Sequence, residues 1–104
     1  ASYEAFYALS SKLASRYPDN MSFLNNMGSY HLVARNDYKN AYKCYDKVLK
    51  MHPDDNTAIR NGMLAARKQK NVKKEKKYLE LMVRYGSEKE SRLAKGRLEG
   101  LNMK

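Results

Sequence analysis

A repeat with a period of about 35 residues constrains this 104-residue chain more than any other feature of its sequence. Pro18 and Pro53 lie one such period apart, and the residues around the two prolines correspond to one another. The same shift carries Leu24-Asn25-Asn26 onto Ile59-Arg60-Asn61, and it relates Tyr3, Tyr7, Lys12 and Asp19 to Tyr38, Tyr42, Lys47 and Asp54. A period of this length, interrupted by turn residues, is typical of stacked helical hairpins.

The stretch from Asn36 to Asp55 shows what one half of a repeat contains. It begins with a turn, and it then places Ala41, Tyr45 and Val48 on one face of a helix. Pro53 ends that helix because proline lacks the amide proton that a helix interior needs. The following aspartates are suited to cap the next helix. The chain therefore predicts a regular succession of helix, turn and helix.

The residues at fixed positions of the repeat resemble the tetratricopeptide repeat family. The first full unit has Leu24, Met27-Gly28, His31, Ala41, Tyr45 and Pro53, with one extra residue in the turn before Asp37. The next unit is degenerate, with Ile59, Gly62-Met63, Ala66, Glu75, Leu79 and then Ser87 in place of proline. The resemblance covers nearly the whole chain. It implies an all-α fold, a right-handed α-solenoid of antiparallel helix hairpins.

About six helices and no strands are predicted. The expected helices span residues 2–16, about 20–35, 36–51, 54–69, 72–85 and 87–100. In repeat terms the chain is a single domain, divided into a half repeat (1–20), a repeat (21–55), a degenerate repeat (56–87) and a capping helix (88–104). A capping helix is expected because the last unit of a solenoid otherwise leaves its stacking face in water.

Particular packing contacts follow from this arrangement. The first helix is expected to turn Phe6, Leu9, Leu13 and Ala14 inward and to leave an edge formed by Tyr3, Tyr7 and Ser10 uncovered. That edge would be covered by a second copy or, preferably, by further repeats upstream. In the fifth helix, Val72, Leu79, Met82 and Val83 are expected to face inward.

Glycines recur at 34-residue intervals, at Gly28, Gly62 and Gly96. Each lies inside a predicted helix, where glycine is less favourable than alanine by about 1 kcal/mol. Close approach of a neighbouring helix is therefore expected at all three. Gly86 is expected to end the fifth helix in the left-handed conformation.

Charge and composition narrow the function classes. The chain has 21 Lys and Arg against 11 Asp and Glu, and most of the excess lies after residue 52. The positive electrostatic field of such a chain attracts acidic partners. No apolar run is long enough to predict a membrane span. The sequence that begins at Ala1 does not resemble a signal peptide, but a signal that had been removed would not be visible. A cytoplasmic location is therefore slightly favoured, and a secreted or periplasmic one is not excluded.

Neither catalysis nor a bound cofactor is predicted. His31 occupies an aromatic packing position of the repeat, and His52 precedes a proline. The single cysteine, Cys44, lies on a helix without a second cysteine nearby and is interpreted as a packing residue. No catalytic triad, phosphate-binding loop or spaced metal-ligand set is present in the sequence. A binding protein is therefore favoured over an enzyme.

The resemblance implies a peptide-binding groove. In tetratricopeptide proteins the first helices of successive hairpins line a concave surface, and an asparagine there often holds the backbone of an extended peptide. Asn26 and Asn61 occupy equivalent positions, and a carboxamide matches a peptide amide as both donor and acceptor. The equally weighted alternative is that both asparagines belong to the repeat itself. The predicted binding residues are Asn25, Asn26, Ser29, Arg60, Asn61, Leu64, Arg67 and Lys68.

A basic run extends from Arg67 to Lys77, with seven cations and one anion. Lysines at the start of a helix oppose its dipole, so local helix stability does not explain them. The predicted basic patch comprises Lys70, Lys73, Lys74, Lys76 and Lys77. A solvated edge is the simplest interpretation of this patch, and an acidic protein, an anionic lipid surface or nucleic acid are the binding alternatives.

The sequence therefore predicts a protein-interaction module, a scaffold or adaptor that holds an extended acidic peptide. The first alternative is a module that associates with nucleic acid or an anionic surface through the basic patch. The second is a structural repeat region of a larger assembly.

Overall fold

Six helices account for most of the computed structural model, which describes residues 2–103, with side chains from Glu4 onward. They are α1 (Ser2–Arg16), α2 (Met21–Ser29, continued by a π-helical turn, Tyr30–Ala34), α3 (Tyr38–Met51), α4 (Asn56–Gln69), α5 (Val72–Tyr85) and α6 (Glu88–Asn102). Residues 2–103 contain no strand. The all-α repeat architecture predicted from the sequence is confirmed.

Side-chain caps explain where most of the helices begin. Asn20, Asp37, Asp55 and Asn71 each accept a hydrogen bond from a backbone amide three residues later. Ser87 forms a reciprocal capping box with Glu90 at the start of α6. Such caps satisfy amides that the first helical turn leaves without partners. Helices α2 to α6 are therefore capped at their N-termini.

The helices form two layers. Helices α2, α4 and α6 lie in one layer, where α2 contacts α4 and Arg60 of α4 bonds Glu90 of α6. Helices α3 and α5 lie side by side in the other layer, joined through Asp46 and Lys74. Helix α1 packs on α2. The resulting body measures 43 × 24 × 19 Å, as expected for a short stack of hairpins.

The core lies between the two layers. Its largest fully buried side chains are Tyr45, Tyr78, Leu32, Ile59, Leu79 and Val48. The ring of Tyr45 lies against Gly28, and the ring of Tyr78 lies against Gly62. The expected close approach at these two glycines is confirmed. At Gly96 the expectation is wrong, because no neighbouring atom lies within 4 Å of where a Cβ would be.

The extra residue before Asp37 lies where the π-helical turn ends α2. The Asp37 amide reaches back six residues to the His31 carbonyl, whereas the equivalent Asn71 amide reaches back five, to Ala66. Asn36 and Lys70 end α2 and α4 in the left-handed conformation, with φ of 51° and 57°.

The prediction that Gly86 adopts the left-handed conformation is wrong. It is extended, with φ of −76°, because the capping residue Ser87 follows at once.

The predicted orientation of α1 is wrong in part. Tyr7 stacks on Tyr30 with ring centroids 4.2 Å apart, and Ser10 is buried. Phe6 and Leu9 are instead 43% and 58% exposed. Residues with helical spacing form two stripes on α1, one with Phe6 and Leu9 and the other with Tyr7 and Ser10. The stacking of Tyr7 on Tyr30 turns the second stripe inward. The prediction of an uncovered edge is therefore wrong at Tyr7 and Ser10, and Tyr3 lies outside the described side chains. Whether a second copy or further repeats cover α1 stays a prediction, which now concerns the exposed Phe6 and Leu9.

The predicted inward face of α5 also needs correction. Leu79, Met82 and Val83 face inward, but Val72 is largely exposed because it starts the helix beside solvent. Tyr78, and not its neighbour Leu79, takes the place that Tyr45 has in the previous hairpin.

None of the helices within residues 2–103 combines the length and the apolar character that a bilayer crossing requires.

Candidate peptide-binding groove

An open groove of about 320 Å³ lies between α4 and α6, with α5 beneath it. Its floor is apolar, and its rim carries both signs of charge. The lining residues are Arg60, Met63 and Arg67 of α4, Leu79 and Met82 of α5, and Glu90, Leu93 and Ala94 of α6. Apolar floors with a few polar groups at the rim are the usual form of a binding cleft. We call this set of residues the groove.

Arg60 and Glu90 face each other across the groove. The Arg60 guanidinium donates from Nε and lies within 2.6 Å of Glu90 Oε2 through Nη2. Its side chain is nevertheless 58% exposed. Hydrogen bonds from the Ser87 backbone and from Arg60 hold the pKa of Glu90 below its usual value. A guanidinium has five donors, so Arg60 keeps free donors for a second carboxylate.

Arg67 and Arg97 share the buried carboxylate of Glu75. Arg67 Nε and Arg97 Nε each donate to Glu75 Oε2 over 2.8 Å, and Arg97 Nη2 donates to Oε1 over 3.2 Å. Burial would raise the pKa of Glu75, but the bonds from Arg97 and Arg67 outweigh it and lower that pKa. This bridge holds α4, α5 and α6 together. Arg67 therefore has a structural bond in addition to its place in the groove.

Asn25 and Arg60 make equivalent bonds one repeat apart. Asn25 Nδ2 donates to Asp55, the N-cap of α4, over 3.0 Å. Arg60 binds Glu90, in the first turn of α6, in the same way. Both bonds span 30 residues and join successive helices of one layer. Asn25 Oδ1 is buried without a partner among the described residues, so Asn25 faces the helix junction. Asn25 is therefore placed as a link between repeats.

The two asparagines of the predicted ladder occupy different surroundings. Asn26 is exposed on α2, whereas Asn61 is half-buried on α4. Burial raises the pKa of the Tyr45 hydroxyl, and hydrogen bonding from Ser29 and Asn61 partly opposes that rise. Ser29 Oγ lies 3.5 Å from the same hydroxyl. Ser29 and Asn61 therefore lie near the Tyr45 hydroxyl, and Asn26 alone of the three is exposed.

Leu64 and Lys68 complete the predicted binding residues. Both are exposed on α4, and neither lines the groove. Leu64 is one of the large apolar side chains left in water. The two residues provide an outer surface beside the groove.

The predicted basic patch divides into two parts. Lys74 and Lys77 bind Asp46 of α3, at 3.0 and 3.2 Å, and Asp46 also accepts a 2.7 Å bond from the Tyr78 hydroxyl. Burial would raise the pKa of Asp46, but these three bonds outweigh it and lower that pKa. The other members, Lys70, Lys73 and Lys76, make no salt bridge within the described residues.

Cys44 and His31 occupy packing positions. Burial raises the pKa of the Cys44 thiol to about 11, which opposes formation of the reactive thiolate. The His31 ring meets the edges of Tyr7 and Tyr30. Burial lowers the pKa of His31, and the Asp37 carboxylate partly opposes that shift.

Sequence reasoning missed Glu75, Arg97, Glu90 and Leu93. One signal was available for Glu75, because this carboxylate falls where the preceding repeat has the small core residue Ala41. A charge at a core position requires partners of opposite charge. Glu90 also had a signal, because Ser87 and Glu90 have the spacing of a capping box. No comparable signal exists for Leu93.

A scan against models of known protein families and a search of curated proteins found no match to this chain. The likeness to a helical repeat therefore rests on the fold of residues 2–103, in which six helices form two layers and successive hairpins make equivalent contacts.

Proposed function

We propose that this chain is a protein-interaction module of the tetratricopeptide type that holds an extended acidic peptide in the groove. The observation that carries the proposal is an open cleft with an apolar floor and two partly exposed arginines at its rim. Arg60 and Arg67 are 58% and 44% exposed, so an approaching carboxylate reaches both without unfolding the site.

The floor offers burial to a ligand side chain. Met63, Leu79 and Met82 lie beneath the opening. Methionine side chains adapt their shape readily, which suits a cleft that takes different apolar side chains. Each apolar side chain buried from water stabilises a complex by about 1.5–3 kcal/mol before ordering costs. One apolar residue beside an acidic one is therefore the expected core of the ligand.

The exposed residues of the same layer extend this surface. Asn26 is exposed on α2 and can offer a carboxamide to a peptide backbone. Leu64 and Lys68 are exposed on α4, where the spacing of four residues places Leu64 beside Arg60 and Lys68 beside Leu64. A peptide backbone has regularly spaced donors and acceptors, which a carboxamide can meet without selecting a side chain. An extended ligand would thus be held by Asn26 and selected by the groove.

Selection from a library of displayed random peptides tests the proposal. Wild-type protein is expected to recover peptides rich in Asp and Glu that also contain a large apolar residue. Leu93→Glu should abolish recovery because it places a carboxylate at the groove, where it repels the ligand. Val72→Glu is the matched control, since Val72 is also exposed but lies outside the groove on α5.

The control should recover the wild-type peptides, and the melting curves of both variants should stay close to that of wild type. Equal recovery by wild type and Leu93→Glu would contradict binding in the groove. Recovery of basic or uncharged peptides alone would contradict the predicted acidic ligand.

A further inference from the structure

A second charged surface lies in the other layer, away from the groove. On α3, four lysines recur at intervals of four, four and three residues, which places them on one face of the helix. On α5, two more lysines lie in the first two turns. We call this set the lysine face: Lys39, Lys43, Lys47 and Lys50 of α3, and Lys73 and Lys76 of α5.

Asp46 joins the two helices that carry the lysine face. Its carboxylate bonds Lys74, Lys77 and Tyr78 and so holds α5 beside α3. Lys39, Lys43 and Lys74 then line one shallow cleft of about 420 Å³. Lys74 also lines a second cleft, together with Lys73, Lys76 and Glu80, so the lysines of α3 and α5 lie along two adjoining clefts.

The lysine face has little negative charge to balance it. None of its six lysines makes a salt bridge with any residue from 4 to 103. Asp46, the acidic group of α3, is already bonded to Lys74 and Lys77. Glu75 of α5 is buried against Arg67 and Arg97. Glu80 is the exposed carboxylate that remains on these two helices.

Helix stability does not account for this surface. Like charges four residues apart on a helix repel each other, and α3 contains the pairs Lys39/Lys43 and Lys43/Lys47. Lys73 lies at the positive end of the α5 dipole, where a cation is unfavourable. A surface that weakens its own helices is better explained by a partner that neutralises it.

The chemistry of the surface distinguishes between partners. Lysine is depleted at protein–protein interfaces, whereas it serves as a point charge for phosphate groups. Helices that bind at a membrane interface present large apolar side chains beside their cations. On α3 no large apolar side chain is exposed, and on α5 the exposed ones are Val72 and Tyr85 at its two ends. Phosphates in a regular array therefore fit this face better than an acidic protein or a lipid surface.

We propose that the lysine face binds the phosphate backbone of nucleic acid without reading its sequence. The lysines of α3 are separated by about one helical turn, so they form a line of charges about 16 Å long. Contacts of this kind release counterions, which makes the affinity fall steeply as salt is raised. This surface is separate from the groove, so the proposal stands independently of peptide binding.

Titration of a labelled mixed-sequence DNA duplex at several salt concentrations tests this inference. Wild type should bind at low salt, with similar affinity for unrelated sequences. Lys39→Gln/Lys43→Gln and Lys73→Gln/Lys76→Gln should each weaken binding by about tenfold or more at moderate salt. Each pair should also reduce the slope of log K against log salt by about 2, because two phosphate contacts are lost. Glutamine has a helix propensity close to that of lysine, so the helices should persist.

Lys89→Gln/Arg92→Gln on α6 is the matched control. Both residues are exposed, both lie outside the lysine face, and the change in net charge is the same. This variant should keep the wild-type salt slope. An equal loss in the control would show that net charge alone drives binding and would overturn the proposal.

Absence of duplex binding at low salt would also overturn it. A third arm uses vesicles that contain an anionic phospholipid. If vesicles, and not the duplex, bound with dependence on the same lysines, the partner would be a membrane surface and the nucleic-acid proposal would be wrong.

Discussion

Two tyrosine rings lie directly on two glycines, and these contacts set the distance between the layers. A Cβ on Gly28 would come within 2.5 Å of the Tyr45 ring, and one on Gly62 within 2.6 Å of the Tyr78 ring. In the first hairpin both partners are the eighth residue after their helix cap, and in the second both are the seventh. Glycine and tyrosine have therefore shifted together, which preserves the contact while the register changes.

Replacement of Gly62 by alanine should destabilise the fold. The methyl group would overlap the buried Tyr78 ring, and such overpacking costs about 1–3 kcal/mol. The better helix propensity of alanine returns about 1 kcal/mol, so a net loss of up to about 2 kcal/mol is expected in urea denaturation. Gly96→Ala is the matched control. Gly96 has open space around it, so alanine there should stabilise by up to about 1 kcal/mol. A stabilising Gly62→Ala would show that the Tyr78 ring moves aside freely.

Asn26 and Asn61 should respond differently to alanine substitution. Asn26 is exposed, so Asn26→Ala should leave the melting temperature near wild type. It should weaken the binding of a selected peptide by about five- to hundred-fold if its hydrogen bond to the backbone is desolvated. Asn61 faces the buried Tyr45 hydroxyl, so Asn61→Ala should cost about 0.5–1.5 kcal/mol of stability. Equal peptide affinity for wild type and Asn26→Ala would contradict the backbone-holding role of Asn26.

At this scale the sequence predicted the glycines but not all of their partners. The repeat identified Gly28 and Gly62 as contact points, whereas the alignment of the two units made Leu79 the equivalent of Tyr45. The structure puts Tyr78 there. In the second hairpin the glycine and the tyrosine both lie one residue closer to their helix caps than in the first. An alignment with a fixed period does not show that the two residues moved together, because it compares each position separately.

The elements are held together by bonds that connect three helices at a time. Glu75 of α5 accepts bonds from Arg67 of α4 and Arg97 of α6. The carboxylate is buried, whereas both arginines are partly hydrated. A buried carboxylate without these partners would be strongly unfavourable. Docking of α6 therefore depends on the ionised form of Glu75.

The docking of α6 should weaken in acid. The folded-state pKa of Glu75 lies below its ordinary value of 4.5, so its contribution is fully present above that pH. The contribution is lost as pH falls through the lower folded-state pKa. Glu75→Gln should cost about 1–3 kcal/mol near neutral pH, discounted because both arginines stay partly hydrated. It should also flatten the dependence of stability on pH below about 4.5.

Hydrogen exchange provides the local measurement for this element. Amides of α6 should exchange faster in Glu75→Gln than in wild type, while those of α2 and α3 should change little. If stability fell equally at all pH values below neutrality in both proteins, ionisation of Glu75 would not be what holds α6.

Helix boundaries were largely predictable because the caps are local. Asn20, Asp55 and Ser87 are visible as capping residues before apolar periodic segments, and the observed ends agree within a few residues. The facing of α1 was not predictable, since two of its stripes have the same spacing. The choice depends on the stacking of Tyr7 on Tyr30, which is a tertiary contact.

The whole molecule presents different chemistry on its two layers. The groove has an apolar floor with paired charges, and the lysine face has cations without salt-bridge partners among the described residues. The sequence predicted a cationic second half, and the cations from Arg67 to Lys77 were interpreted as one continuous basic run. Folding instead ties Arg67 to Glu75 and ties Lys74 and Lys77 to Asp46. The cleft that Lys73 and Lys76 line then adjoins the one that Lys39 and Lys43 line. Such pairings depend on the stacking of hairpins, which a linear charge count does not contain.

Chemical-shift mapping of a selected acidic peptide onto isotope-labelled protein locates the peptide-binding site directly. Binding in the groove should produce saturable shifts of amides around Arg60, Met63 and Leu93, on the two helices that enclose it. Amides around Lys39 and Lys43 should stay unperturbed at moderate salt, where weak charge attraction is screened. Shifts confined to α3 and α5, or none at saturating peptide, would contradict the assignment of the groove as the peptide-binding site.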